Sequence, residues 1–186
     1  MTKISYRTAA SFNGYIADEQ GSVSWLYGVD RGDGPPPNVL DGVGVVVTGS
    51  TTYEWLLESA NMLAEPATWQ TYYASRPVFV FTARQLPAPA GADVRFVQGR
   101  VEDHLETILA AAGAEDVAIS SGGELAGQFL DAGALDEITI GVAPVALANG
   151  TQLLPRRLEA DRLRLTAVEQ RGQLVNLTYT VSNHDS

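Results

Sequence analysis

Three short segments of this sequence suit phosphate binding. Two of them contain glycines and small hydroxyl side chains, and the other contains a threonine and an arginine. Each follows an apolar run typical of a buried strand and is expected to lead into a helix. Backbone N–H groups at a helix N-terminus lack partners within the helix and carry partial positive charge, so they attract phosphate oxygens. In an open α/β sheet such junctions lie along one crevice, which suits a ligand with two phosphates. The segments are Thr48-Gly49-Ser50-Thr51-Thr52, Thr82-Ala83-Arg84 and Ser120-Ser121-Gly122-Gly123-Glu124.

Simpler interpretations exist for the same residues. Gly122 and Gly123 suit a tight turn, and Ser50 or Thr51 suits the N-cap of a helix. Arg84 suits a solvated surface position. The phosphate interpretation instead predicts a dinucleotide with a 2′-phosphate, because a guanidinium binds phosphate through two parallel hydrogen bonds. The sequence contains neither GxGxxG nor the Walker lysine motif, so both interpretations stay open.

The elements that would position these junctions are predicted as short strands that alternate with amphipathic helices, which is typical of an α/β fold. Three helices are predicted, starting near the first junction, at Val101 and after the third junction, and Gly113 and Gly133 are placed to end the last two. The chain between the first two strands is predicted as a long loop that runs past Trp25 and includes Pro35-Pro36-Pro37. The predicted strands cover residues 4–10, 43–48, 77–82, 94–98, 116–120 and 135–142.

The last third of the chain contains two alternating runs, residues 162–167 and 175–181, on either side of Arg171-Gly172. This pattern predicts a hairpin at the edge of the sheet, with one face buried and the other in water. The face that carries Val175, Leu177 and Tyr179 equally suits a subunit interface if the chain itself does not cover it. The fold prediction is a three-layer α/β sandwich whose mostly parallel central sheet ends in an antiparallel hairpin, as one domain over residues 1–186.

Composition excludes several classes of function. The chain has 186 residues and a formal net charge of −10, which disfavours nucleic acid and acidic membranes as partners. It contains no cysteine and only two histidines, so no metal site is expected. No apolar run has the length of a signal or membrane-spanning segment, which makes a cytoplasmic protein the expectation. Among the tryptophans, Trp25 suits either a ring-binding loop or the core, whereas Trp55 and Trp69 are predicted in the core.

Several motifs resemble those of a known family. Residues 11–18 and 21–26 resemble the S-x-D-G-x-I-A and G-S-x-x-W-L signature of the dihydrofolate reductase superfamily, and most of all its branch with the C-terminal reductase domain of riboflavin biosynthesis. Residues 49–54 resemble the G-R-x-T-Y-E motif of that branch, residues 122–125 its G-G-x-L, and residues 136–147 its D-E-x and P-V-x-L. The matches occur in order along nearly the whole chain.

The resemblance implies an NADPH-dependent reductase that transfers a hydride to a small pterin-like or aminopyrimidine-like heterocycle, usually as a homodimer. It places Ala10, Ile16 and Trp25 beside the nicotinamide, and Thr82 and Arg84 near the adenosine. The remaining implied contacts lie along the cofactor phosphates: Gly49, Ser50, Thr51 and Thr52 from one segment, and Ser121, Gly122, Gly123, Glu124 and Leu125 from another.

The chain also departs from the family pattern. Asn13 stands where the family commonly has Asp, and Ser50 stands where it commonly has Arg, so one charge is missing near the substrate loop and another near the cofactor phosphate. Arg84 is a candidate replacement for the second charge. Asn13 and Asp30 are candidate substrate contacts, although Asp30 equally suits an exposed loop. These departures leave two other functions open: a non-catalytic nucleotide-binding or ligand-sensing module, and an acidic dimeric scaffold without a ligand.

Overall fold

The computed structural model describes residues 2–33, 38–120 and 122–182. The helices in these ranges are α1 (Ser50–Ser59), α2 (Pro66–Tyr73), α3 (Leu105–Ala112) and α4 (Gly123–Asp131). The strands are β1 (Ile4–Ser11), β2 (Tyr15–Ala17), β3 (Val43–Gly49), β4 (Val78–Phe81), β5 (Val94–Val97), β6 (Asp116–Ser120), β7 (Glu137–Ala143), β8 (Thr151–Gln152), β9 (Leu163–Arg171) and β10 (Leu174–Val181).

The main sheet has the strand order β5-β4-β3-β6-β1-β7-β10-β9. The first six of these strands run parallel to one another, and β10 pairs antiparallel with both β7 and β9. The small strands β2 and β8 form a separate antiparallel pair. This arrangement confirms the predicted α/β fold, with a mostly parallel sheet that ends in a hairpin.

Helices cover both faces of the parallel part of the sheet, so the predicted three layers are confirmed. On one face, Ile108 of α3 and Phe129 of α4 pack against strand residues. On the other face, Tyr53 of α1 and Trp69 of α2 form the second core. The central strand β3 is buried on both of its faces, which explains its continuous apolar run.

The hairpin is less covered than its alternating pattern predicts. Most of β9 is exposed on both faces, including Leu165 at 49% and Val168 at 58%. The prediction of one buried face is therefore wrong for β9, because none of the four helices α1–α4 packs over it in the described part of the chain. The loop before β3 instead contacts the hairpin turn, where the Gln173 backbone N–H donates to the Asp30 carbonyl at 2.9 Å.

Several local predictions need correction. The loop after Ser11 contains β2 and a 3₁₀ turn at Ser24–Leu26, and α2 has no counterpart in the predicted elements. The predicted helix from Val101 is divided into a 3₁₀ turn at Val101–Asp103 and α3. No helix follows Thr82, since Pro87 and Pro89 lie in the connection to β5 and cannot donate backbone hydrogen bonds. The predictions for Pro35-Pro36-Pro37 lie outside the described residues.

The helices in the described ranges are all too short or too polar to cross a bilayer.

Candidate functional site

A cavity of about 770 Å³ opens where β3, β4, β5 and β6 end, beside the middle of β1. Its volume lies within the range of about 300–1,000 Å³ that is usual for small-molecule and cofactor sites. Residues from the ends of four strands, the start of α1 and the start of α4 line its walls. Thr48 joins the two central strand ends, because its buried hydroxyl donates to the Ser120 carbonyl at 3.1 Å.

The N-terminus of α1 faces this cavity. Its N-cap is Gly49, and no side chain in the described ranges caps the helix. Gly49 is in extended conformation, with φ of −88°, and nothing lies within 4 Å of the position that a Cβ atom would occupy. The predicted N-cap role of Ser50 or Thr51 is therefore wrong, since both residues lie inside the first turn. The first-turn N–H groups of α1 are left for a ligand or water.

The N-terminus of α4 lies beside it and is built differently. Its N-cap, Gly122, has φ of +89°, a conformation that favours glycine over other residues. The next residue, Gly123, packs directly on the backbone of residues 152 and 153, and a Cβ atom there would lie 2.5 Å from the Leu153 carbonyl oxygen. The fold itself therefore favours glycine at both positions, independently of any contact with phosphate.

An ion-pair cluster stands next to the start of α4. The Arg156 guanidinium donates from Nη2 and Nη1 to the two carboxylate oxygens of Glu124, at 2.8 and 3.0 Å, and from Nε to Asp131 at 2.8 Å. These hydrogen bonds hold the pKa of the Glu124 carboxyl below its usual range and raise the pKa of Arg156. Glu124 lines the cavity and Arg156 lies outside it.

The rest of the cavity wall is largely apolar. It includes Ile16, Trp25 and Leu26 from the loop after β1, together with Trp55 and Leu56 from α1. The Trp25 Nε1 atom is buried and has no hydrogen-bond partner among the described residues. The prediction of a core position is wrong for Trp55, which is 41% exposed, and is confirmed for Trp69. Tryptophan rings on this wall suit a planar ligand.

Arg7 is a cavity residue that the sequence patterns did not single out. It lies within β1, where its Nε donates to the Ser5 hydroxyl at 3.0 Å and its Nη1 to the Val39 carbonyl at 2.6 Å. Among the described residues that line the cavity, Arg7 is the one cation and Glu124 the one anion. A single arginine inside an otherwise uncharged strand is the signal that would have marked it.

Most of the sequence-predicted cofactor residues line this one cavity. Four predicted residues do not, namely Ala10, Arg84, Asn13 and Asp30, and Ser121 lies outside the described residues. The residues that line the cavity are Ile16, Trp25, Gly49, Ser50, Thr51, Thr52, Thr82, Gly122, Gly123, Glu124 and Leu125.

The four other residues have different surroundings. Ala10 is buried at the end of β1. Arg84 forms a bidentate ion pair with Glu54, at 3.0 and 2.5 Å. The Asn13 side chain bonds the backbone of Leu147 in both directions, at 2.7 and 3.1 Å. Asp30 accepts from the Gly32 backbone N–H at 2.8 Å. Local sequence could not reveal these partners, which mostly lie far apart along the chain.

Comparison with known proteins identifies the family. Residues 61–177 match the sequence model of the RibD C-terminal domain. The chain belongs to the RibD C-terminal domain family. An uncharacterized protein of Bacillus subtilis, YwjB, is 28% identical over 172 residues, which are 92% of this chain and 93% of that protein. The expected family resemblance is therefore confirmed.

Solved structures agree with the RibD C-terminal assignment. The crystal structure of a putative riboflavin biosynthesis protein from Shewanella sp. PV-4 has a TM-score of 0.75 and 26% identity, over 98% of this chain and 99% of that one. A Thermotoga maritima diaminohydroxyphosphoribosylaminopyrimidine deaminase/5-amino-6-(5-phosphoribosylamino)uracil reductase has a TM-score of 0.67 at 15% identity, over 97% of this chain and 57% of that one. The second similarity shows the dihydrofolate reductase-like fold alone. The family supports a reductase-type role for this RibD C-terminal domain protein.

Proposed function

We propose that this protein is an NADPH-dependent reductase that transfers a hydride to a small pterin-like or aminopyrimidine-like heterocycle. One observation supports the proposal above the others: two helix N-termini without side-chain caps in the described ranges meet at one cavity that also has an aromatic wall. N-termini of this kind bind phosphate, and an aromatic wall suits a planar ring. The family membership is consistent with both parts of the ligand.

The residues that are present fit the cofactor. The open space at Gly49 leaves room for a phosphate to approach the first turn of α1. Trp25 and Ile16 form an apolar boundary, and the Trp25 N–H, which has no partner in the described part of the chain, is available as a donor. The bound cofactor supplies the hydride, so the chain needs no nucleophile of its own. Its residues bind and orient the two reactants.

Arg7 is the substrate anchor in this proposal. It is the one cation among the described cavity residues and it is held by Ser5 and Val39, so its position is fixed by the fold. A guanidinium in such a position suits a ring carbonyl or an anionic substituent of the substrate. Because Glu124 is the one acid among those residues and is paired with Arg156, the proton for the reduced ring comes from solvent.

Gly49→Asp tests the cofactor site. An aspartate at an N-cap stabilises a helix, and it also occupies the first-turn N–H groups with a carboxylate. The variant is expected to be at least as heat-stable as the wild type, yet to bind NADPH at least about tenfold more weakly. Tryptophan quenching on titration with NADPH measures affinity, and differential scanning fluorimetry measures stability.

Gly28→Asp is the matched control for that charge. Gly28 also has open space at its Cβ position, and it does not line the cavity. Its substitution is expected to leave the NADPH dissociation constant within about twofold of the wild-type value. Equal NADPH affinity in Gly49→Asp and wild type would falsify the placement of the phosphates at α1.

Turnover separates a reductase from the alternative of a non-catalytic nucleotide sensor. Loss of NADPH absorbance at 340 nm is followed with a panel of pterins and ribityl-aminopyrimidines. Arg7→Leu is expected to lower kcat/KM for any active compound by at least about tenfold while leaving NADPH affinity unchanged. If NADPH binds well and no compound is reduced, the sensor function replaces the reductase.

We also propose that the protein forms a homodimer through the hairpin. Leu165 and Val168 of β9 stand beside Tyr179 and Leu177 of β10 and leave an apolar strip at the end of the sheet. A second copy would cover this strip and the unpaired edge of β9. Light scattering after size exclusion is expected to give about 40 kDa for the wild type and half of that for Val168→Glu. A monomeric wild type contradicts the proposal.

A further inference from the structure

Glu124 occupies an unfavourable place for an acidic residue in a dinucleotide site. It lies in the first turn of α4 and lines the cavity, beside the N–H groups that would bind an anionic ligand. A carboxylate there interacts with the same helix dipole as the ligand and repels a phosphate. In a chain with a net charge of −10, an unpaired Glu124 would add to a potential that is already negative.

Arg156 is held so that it meets this carboxylate on both oxygens. Its side chain is only 24% exposed, and its Nε donates to Asp131, which lies about two turns further along the same face of α4. It also lies against Gly127, where a Cβ atom would be 2.9 Å from the guanidinium carbon. The glycine therefore makes room for the guanidinium, and the two carboxylates fix its orientation.

We propose that Arg156 is a positioning residue of the cofactor site, which neutralises Glu124 and so keeps the N-terminus of α4 available to the cofactor diphosphate. The inference rests on the proposed NADPH function. Arg156 itself does not line the cavity, so it acts through Glu124 and not by touching the ligand. The Arg156 guanidinium supplies a fixed positive charge beside the Glu124 carboxylate, and an uncharged residue would not supply it.

A double-mutant cycle with NADPH as the probe tests this role. Arg156→Gln is expected to weaken NADPH binding by about three- to tenfold, because it leaves the Glu124 carboxylate unpaired. In a Glu124→Gln background the same substitution is expected to change the affinity by less than about twofold. The loss of NADPH affinity in Arg156→Gln is expected to become smaller as the salt concentration is raised, because salt screens charge repulsion. Salt would not restore an affinity that was lost because the helix had moved.

Two further variants extend the test: the first is expected to reproduce the effect, and the second is the matched control. Gly127→Ala displaces the guanidinium without removing any charge and is expected to weaken NADPH binding in the same direction as Arg156→Gln. Arg157→Gln removes the neighbouring arginine, which is exposed and pairs with Glu159, and is expected to leave the affinity unchanged.

The outcomes are distinguishable. If Arg156→Gln binds NADPH as well as the wild type, the inference is wrong while the proposed function stands. An equal loss with and without Glu124 also overturns it, because Arg156 would then act only by holding the segment in place. A wild type that binds no NADPH overturns the proposed function, and the inference with it.

Discussion

The two strand-to-helix junctions of the cavity look alike in sequence and differ in what their glycines do. At α1, Gly49 has an ordinary extended backbone and open space around it, so the fold does not require a glycine there. At α4, Gly122 needs its positive φ and Gly123 needs its close contact with the backbone near Leu153. Glycine at a phosphate-type junction is therefore evidence for a ligand only where the fold itself would tolerate a side chain.

The two junctions are also held by different forces. The α1 side depends on aromatic packing, in which Tyr53 meets Trp69 edge to face with centroids 6.1 Å apart and donates its hydroxyl to the Pro87 carbonyl at 2.7 Å. The α4 side depends on backbone contact and on the Arg156 ion pairs. The aromatic packing on the α1 side is insensitive to salt and mild acid, whereas the Arg156 ion pairs on the α4 side respond to both.

Gly123→Ala is expected to have the largest effect on stability. The added methyl group would collide with the backbone near Leu153, and backbone cannot move aside as a side-chain end does. The free energy of unfolding is expected to fall by about 3 kcal/mol. Chemical denaturation measures it, with Gly28→Ala as the control because its Cβ would meet nothing within 4 Å. Equal stability of the two variants would contradict the difference between the junctions.

The next largest effect on stability is expected at high pH, where the aromatic packing around α1 and α2 is weakened. Burial raises the pKa of Tyr53 to about 12 and that of Tyr73 to about 12. Because both phenols stay neutral when folded but ionise near pH 10 when unfolded, their stabilisation is complete below about pH 10 and is lost as pH rises toward 12. Thermal unfolding between these pH values measures the loss. Tyr73→Phe is expected to reduce the slope, and an unchanged slope would exclude Tyr73 as its source.

Thr48→Val tests the link between the two junctions. The substitution keeps the shape of the side chain but removes the hydroxyl that donates to the Ser120 carbonyl across the β3–β6 pair. The expected loss is about 1 kcal/mol of unfolding free energy, together with weaker NADPH binding because the two helix starts are no longer tied. Thr71→Val, at an exposed hydroxyl of α2, is the control. A loss of stability with unchanged NADPH affinity would mean that the link does not position the site.

Acid is expected to have the smallest of these effects on the two junctions, and to act on the α4 side through Glu124. The pKa of Glu124 is held below its usual range, chiefly by its hydrogen bond with Arg156, so its contribution is present above the ordinary glutamate pKa and is lost as pH falls through the lowered value. Because the Glu124 side chain is mostly exposed, Glu124→Gln is expected to lower the melting temperature by no more than about 2 °C at neutral pH. The difference should shrink as the pH falls through the lowered pKa of Glu124, and a difference that persists after this carboxyl is protonated would assign it to packing.

Local pattern determined the parallel sheet, most of its strands and the position of the hairpin. These features have signals that are short in range: the apolar run of β3, the alternation of β10, and the glycines that end α3 and follow α4. The ordered motifs also placed most of the proposed cofactor residues at one cavity, because residues at the carboxyl ends of neighbouring parallel strands must share one edge of the sheet. Sequence alone therefore specified the family, the architecture and the location of the cavity.

Tertiary structure decided which side chains are available at that cavity. Arg84 is engaged by Glu54 and Asn13 by the backbone of Leu147, whereas Arg7 lies on the cavity wall. The pairing of β2 with β8 and the ion pair between Glu124 and Arg156 likewise join segments that are far apart along the chain. Such partners depend on how distant segments pack in three dimensions, and a local pattern of apolar and polar residues carries no record of them.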